Sequence, residues 1–306
     1  MATDKLEVPS NRYGTYVLKS RLGSGAQAEV FLAEAVDERG DQMKVALKMM
    51  RPGIDEESFA HEADLMGLLT HPNLVRMYEA GRAFGRAFIA MEFLVGGDLR
   101  GVMESHRKQL KGVPATIGVH VMIEVLRALA YFHQAKTLTG TPLNLVHNDV
   151  NPSNVFFAAD GEVKIGDFGV AQSIQAQATA GVAVGKLSYL SPEQTRGEPV
   201  TAQSDLWSVG VMLHELVVGY HPFREEGADE QQTMAAIRAA KLVLPDYVEK
   251  PLAAILQRAL APDAKGRYRS AGELAGPLFT WLLDRGGGPT KAQVLDWLQH
   301  TLGLVV

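Results

Sequence analysis

The hydrophobic period of this chain changes once, near residue 95, and that change limits what it can fold into. Before it, "YVLKSRL", "AEVFLAEAV", "QMKVALKMM" and "RAFIAMEFL" are short runs rich in β-branched and aromatic residues, separated by glycine or polar turns, as strands are. One stretch there, 55–69 ("DEESFAHEADLMGLL"), opens on acidic residues and spaces Phe59, Ala63, Met66 and Leu69 along one helical face. "VGGDL" at 95–99 reads as a linker with Asp98 as a helix N-cap. Beyond it, 121–133, 204–219, 231–240, 251–261 and 270–284 carry apolar stripes at helical spacing, and Pro277 predicts a kink or break in the last. Only 145–168 interrupts them, with the short strands "NVFFA" and "EVKIG". The pattern predicts an α+β, bilobal chain: a tail over 1–13, a small β-rich lobe with one helix over 14–94, a larger helical lobe over 95–285, and an amphipathic helix or tail over 286–306.

With 306 residues, 46% of them hydrophobic, the chain can bury two modest cores. A net charge of −5 argues against a nucleic-acid surface, which shows as a basic excess. The absence of cysteine excludes disulfides, a thiolate nucleophile and Cys-ligated metal. "HELVV" (214–218) ends in Val where a zinc-binding helix needs a second His. No apolar run is expected to reach the roughly 20 residues of a membrane span, and "MATDKLEVPS" has no signal-peptide pattern, so a cytoplasmic chain without a membrane partner is expected.

The chemistry concentrates in a few stretches. "LVHNDVNPSNVFF" (145–157) sets Asp149 among three amides, the composition of an ordinary turn or of an active-site floor. A calcium loop is excluded, because the central Gly and closing Glu are missing. In "LGSGAQAEVF" (22–31), Gly23 and Gly25 allow backbone N–H groups to approach phosphate oxygens; the third position of a G-x-G-x-x-G pattern is Ala28. "VALK" places Lys48 on the next strand and Glu62 on the helix after it, so an ammonium with a fixed counter-charge is available for phosphates.

These stretches occur in series with "HPNL" (71–74), "MEFLVGGDL", "KIGDFG" (164–169), "YLSPEQ" (189–194), "SDLWSVG" (204–210) and "GRYRSAGEL" (266–274). The series resembles the eukaryotic-type Ser/Thr protein kinases over about 14–284. "VHNDVNPSNV" and "GKLSYLSPEQTRGE" further resemble bacterial, myxobacterial-like members. The resemblance implies ATP as cosubstrate, Mg²⁺ (with Mn²⁺ able to substitute) as metal, and proteins bearing Ser or Thr as partners. Leu22, Gly23, Gly25 and Val30 would cover ATP; Val30, Ala46 and Phe156 would sandwich the adenine; the backbone of Glu92 and Leu94 would bond its edge. Lys48, oriented by Glu62, would contact phosphates, Asn154 and Asp167 would hold the metal, and Asp149 would take the hydroxyl proton. Glu193 would pair with Arg267, Asp205 would hold the catalytic loop, and Phe168, His147 and Met66 would join an apolar stack.

Two positions depart from the family. Asn148 stands where an arginine usually receives a loop phosphate, so activation is expected not to depend on Thr179. Asn151 stands where a lysine usually meets the γ-phosphate, and Lys186 is expected to restore that charge. A pseudokinase that only binds nucleotide or a partner is the alternative, although Lys48, Glu62, Asp149, Asn154 and Asp167 are all present. Tyrosine specificity is disfavoured by the proline in "VNPSN". The final stretch spaces Val294, Leu295, Leu298 and Leu302 on one helical face beside Trp297, to pack on the larger lobe or to dock another protein.

Overall fold

A computed structural model describes residues 12–25, 27–36, 39–53, 56–109, 112–137, 139–168 and 187–303. Thr179 and Lys186 lie outside the described residues. The chain is α+β and forms two compact units, Met1–Thr70 with Val75–Phe93, and His71–Leu74 with Leu94–Val306.

In the first unit, β1 (Arg12–Tyr13), β2 (Tyr16–Ser24), β3 (Ala28–Val36), β4 (Gln42–Met50), β5 (Met77–Ala83) and β6 (Arg86–Glu92) form one antiparallel sheet, ordered β1-β2-β3-β4-β6-β5. Alternation splits the sheet into two faces. Phe31, Ala33, Val45, Leu47, Met49, Phe88 and Ala90 cluster with Tyr13 and Tyr16. The other face carries Val30, Ala46, Lys48 and Ile89, paired Val30 with Lys48 and Lys48 with Ile89. Helix α1 (Glu56–Leu68) lies on that second face, because Lys48 reaches its Glu62. Strand β5 was not evident in the sequence: Glu79 and Gly81 are poor strand formers and most of its residues are exposed.

The second unit begins with an inserted stretch. His71–Leu74 joins it because Asn73 donates to Val163 O (2.8 Å) and Glu124 (3.0 Å), while Ile165 donates to Asn73 O (2.9 Å). After the linker, the Asp98 carboxylate caps α2 (Leu99–Lys108) by accepting from Gly101 N at 2.8 Å. Helix α3 (Ala115–His133) starts earlier than its stripe suggested and corrects the membrane expectation: it is long and apolar enough to span one. Its apolar residues are buried instead, from Ile117 to Phe132, against α5 (Ala202–Val218) and α8 (Ala271–Leu283). Strands β7 (Val155–Phe157) and β8 (Val163–Ile165) pair antiparallel. The remaining helices are α4 (Pro192–Arg196), α6 (Glu230–Ala239), α7 (Lys250–Ala259) and α9 (Lys291–Leu302).

Pro277 does not break α8. Leu274 on one side of it and Leu278, Trp281 and Leu282 on the other are all buried, so packing carries the helix past the lost hydrogen bond. The C-terminal α9 packs back on its own unit: Val294, Leu298 and Thr301 are buried, Trp297 stacks on His106 at 5.5 Å, and Ser105 of α2 donates to Thr301 O at 2.6 Å.

Candidate active site

Two constellations carry the chemistry, one in each unit. In the first, Gly23 pairs with Val30, Val30 with Lys48, and Leu32 with Ala46. Residues directly opposite on a ladder share a face, so Gly23, Val30, Ala46 and Lys48 line one side of the sheet. Leu22 falls in the bulge between Arg21 and Gly23 and is exposed. Gly25 closes the turn by donating to Ala28 O at 2.9 Å. A Cβ at Gly23 would meet no protein atom within 4 Å, so internal packing does not demand glycine there. That open space leaves the backbone at Gly23 accessible to a ligand. The Lys48 ammonium donates to both carboxylate oxygens of Glu62, at 2.5 and 2.8 Å, and Glu62 is buried. Glu92 ends β6 with its N–H on Arg76 O (2.9 Å), and Leu94 opens the second unit.

The second constellation is built on the turn before β7. Asp205, in the first turn of α5 and 1% exposed, accepts from His147 N and Asn148 N, each at 2.9 Å, and lies 2.7 Å from His133 Nε2. These bonds fix the backbone where Asn148 adopts φ 65°, a left-handed conformation that asparagine tolerates. Asp149 follows. Asn151 Nδ2 donates to its Oδ1 (2.8 Å) and its carbonyl (2.9 Å), and Asn154 Nδ2 donates to its Oδ2 (2.9 Å) and the same carbonyl (2.7 Å). The Asn151 amide oxygen accepts from Ser153 N at 3.0 Å, capping the 3₁₀ turn Pro152–Asn154. Asn151 therefore does more than leave a lysine out: it orients the carboxylate.

Asn154 and Asp167 sit at the same end of the β7–β8 ladder, since Val155 pairs with Ile165 and Gly166 donates to Asn154 O at 3.0 Å. With its amide nitrogen turned to Asp149, Asn154 has its amide oxygen to offer a hard cation, and Asp167 has a carboxylate, which is the donor chemistry of Mg²⁺. Asp167 is held at φ 65°. Phe168 beside it is buried, 5.4 Å from Phe132 and 5.3 Å from His147. Met66, expected in the same stack, is buried in the first unit. Phe156 points away from the buried Val155 and Phe157 and is half-buried.

Glu193 binds Arg267 through two bonds of 2.8 and 2.9 Å and accepts from Ser204 at 2.7 Å. Burial alone would raise its pKa, but Arg267 and Ser204 outweigh it and hold the carboxyl at about 2. Several residues that position the site went unread in the sequence. Ser208 donates to Tyr189 O (2.8 Å), Tyr189 donates to Glu215 (2.6 Å), and His221 Nε2 lies 3.0 Å from Ser188 O. Phe223 N donates to His221 Nδ1 at 3.1 Å, so the neutral Nε2–H tautomer satisfies both ring nitrogens. Burial first, then Arg224, lowers the His221 pKa to about 3. "YLSPEQ" and "HELVVGYHPF" contain Tyr189, Glu215 and His221, but nothing in their spacing shows that they meet.

The protein-family model for the protein kinase domain matches residues 16–278. The chain is 35% identical over 288 residues to the tyrosine-protein kinase MasK of Myxococcus xanthus, covering 90% of this chain and 44% of the relative. It is 34% identical to the serine/threonine-protein kinase PksC of Streptomyces coelicolor (84% and 47%) and 30% identical to the serine/threonine-protein kinase PknB of Mycobacterium leprae (95% and 46%). The chain thus spans less than half the length of these relatives. A match over that span, with the same motifs folded into one ladder face and one amide-clamped turn, places this chain in the protein kinase family.

Proposed function

We propose that the chain transfers the γ-phosphoryl group of ATP to Ser and Thr hydroxyls of proteins, itself included, in bacterial signalling. The observation that carries this reading is Asp149, its two carboxylate oxygens directed by Asn151 and Asn154 on a turn pinned by Asp205. The acceptor hydroxyl gives its proton to Asp149 as its oxygen takes the γ-phosphoryl group, and ADP leaves. Lys48, held by Glu62, is the cation for the α- and β-phosphates. Asn154 and Asp167 would hold Mg²⁺, with Mn²⁺ able to substitute, and the bound metal would supply positive charge to the phosphates. Val30 and Ala46, on one face of the first unit's sheet, offer the adenine an apolar surface, and Lys186 is a second cation for the γ-phosphate. The same reading places the reaction in the cytoplasm, where ATP is supplied. A docking role for α9 would fall to its outer side, where Gln293, Asp296 and His300 are exposed.

The names of the Streptomyces and Mycobacterium relatives favour Ser and Thr, and the name of the Myxococcus relative raises tyrosine as a second reading. The test is to incubate the chain with labelled ATP, Mg²⁺ and a peptide mixture bearing Ser, Thr or Tyr, beside a Lys48→Met control. Label on Ser and Thr, absent from the control, is expected. Label on Tyr alone favours the second reading, and no label on chain or peptides overturns both.

A further inference from the structure

Three arginines gather around Glu215, and one of them is bonded to the catalytic turn. Arg100, near the start of α2, donates from Nε to Ser153 Oγ at 2.5 Å, inside the turn that carries Asn151 and Asn154. Arg107, two helical turns further on, reaches Glu215 at 3.5 Å and keeps 59% of its side chain exposed. Arg224 follows α5 and is half-buried; it acts electrostatically on Glu215, Tyr189 and His221. Their common counter-charge is Glu215, whose side chain is 3% exposed and already accepts the Tyr189 hydroxyl. One buried carboxylate cannot neutralise three guanidiniums, and the exposed Glu104 on α2 and Glu225 and Glu226 after Arg224 make no ion pair with them among the described residues. Asp98 also faces Arg100, but its carboxylate caps α2.

Among the described residues, Arg100 and Arg224 make no ion pair, and Arg107 makes only the long one to Glu215. Residues 169–186, which precede Tyr189 in the sequence, contain no Asp or Glu. The patch is anchored to the chemistry twice over: Arg100 through Ser153, and the segment after Tyr189 through Gln194, which donates to Asn148 O at 3.1 Å. A planar guanidinium with unused N–H groups is suited to a carboxylate.

We propose that Arg100, Arg107 and Arg224 form a substrate subsite that selects peptides with acidic residues flanking the acceptor hydroxyl. This rests on the kinase reading above and narrows its substrate class.

The experiment separates the two. Two fluorescent peptides carry Ala at the acceptor position, one flanked by Glu and the other by Gln, and their binding to the whole chain is followed by anisotropy. The acidic peptide is expected to bind about tenfold tighter, the size of two or three partly exposed ion pairs, with the preference shrinking as salt rises. Arg107→Gln with Arg224→Gln should remove most of that preference. Arg224→Gln alone, which breaks no hydrogen bond among the described residues, serves if the double variant unfolds. Equal affinity for both peptides, or a preference unchanged in the variants, overturns the subsite. A Ser version of each peptide, run with ATP, tests the kinase reading separately: turnover without preference sinks only the subsite, and arginine-dependent binding without turnover sinks only the kinase.

Discussion

Glu193 and Asp149 are carboxylates of the same unit, each held by several side chains, and they are held differently. Glu193 meets a guanidinium that is itself sealed: Arg267 is 1% exposed, donates also to the carbonyls of Ala261, Gln203 and Pro262, and lies 4.9 Å from the Trp207 ring. The charge is cancelled and every donor is placed. Asp149 is directed by the neutral amides of Asn151 and Asn154. The two amides take one carboxylate oxygen each and so fix where the group points, as a base for a hydroxyl proton must be fixed. Arg267 neutralises Glu193, whereas Asn151 and Asn154 aim Asp149.

The sharpest way to break this comparison is to remove each acid. Asp149→Asn should lower kcat by about 10²–10⁴, the usual loss of a general base. It should move Tm by no more than about 2 °C, because Asp149 is only half-buried and asparagine keeps its size. Glu193→Ala should do the reverse, costing about 3–5 kcal/mol in urea unfolding by leaving Arg267 buried and alone. Adding Arg267→Met to it should recover part of that cost. A Glu193→Ala protein as stable as the parent would show that the pair is not a clamp.

Acid titration reads the same contrast more gently. The folded pKa of Glu193 lies below its ordinary value of 4.5, at about 2, so its stabilisation is fully present above 4.5 and is lost as pH falls towards 2. The loss amounts to about 3 kcal/mol. The histidines act earlier. Burial holds His214 at about 4, and burial with Arg224 holds His221 at about 3, both below the ordinary 6.5. Each stays neutral in the fold while the unfolded chain takes up protons, so stability falls from about pH 6.5 downwards. Tm followed against pH should therefore drop in two windows. His221→Gln should flatten the upper one and Glu193→Gln the lower; a single transition unmoved by either variant contradicts the assignment.

What the sequence disclosed depended on how local the cause was. Lys48, Glu62, Asp149, Asn154 and Asp167 stand in short motifs, and strand alternation alone puts Val30, Ala46 and Lys48 on one face. The capping role of Asp98 was legible for the same reason. Tertiary causes were not. Packing on both sides of Pro277 carries α8 through a helix breaker, and β5 is a strand because β6 lies beside it rather than because of its composition. Asn73 pulls four residues out of the first unit through bonds to partners far along the chain. The grouping of Arg100, Arg107 and Arg224 needs α2 and the stretch after α5 to meet around Glu215.

Asn151 is the residue whose meaning changed most. By type it is a missing cation. By geometry it is 1% exposed, bonds Asp149 twice through its amide nitrogen, and caps Ser153 N through its oxygen. If its work is to aim Asp149, Asn151→Ala should lower kcat about tenfold, or about 1.4 kcal/mol, because Asn154 still holds the other carboxylate oxygen. KM for ATP should stay within about twofold, since the cation for the phosphates is Lys48 in the other unit. Asn151→Asp keeps the cap to Ser153 and loses the amide donor, so it should be at least as slow as the alanine variant although it is better capped. Were Asn151→Asp to keep the parent's kcat while Asn151→Ala lost it, the cap rather than the amide would matter, and Asp149 would be held by Asn154 alone.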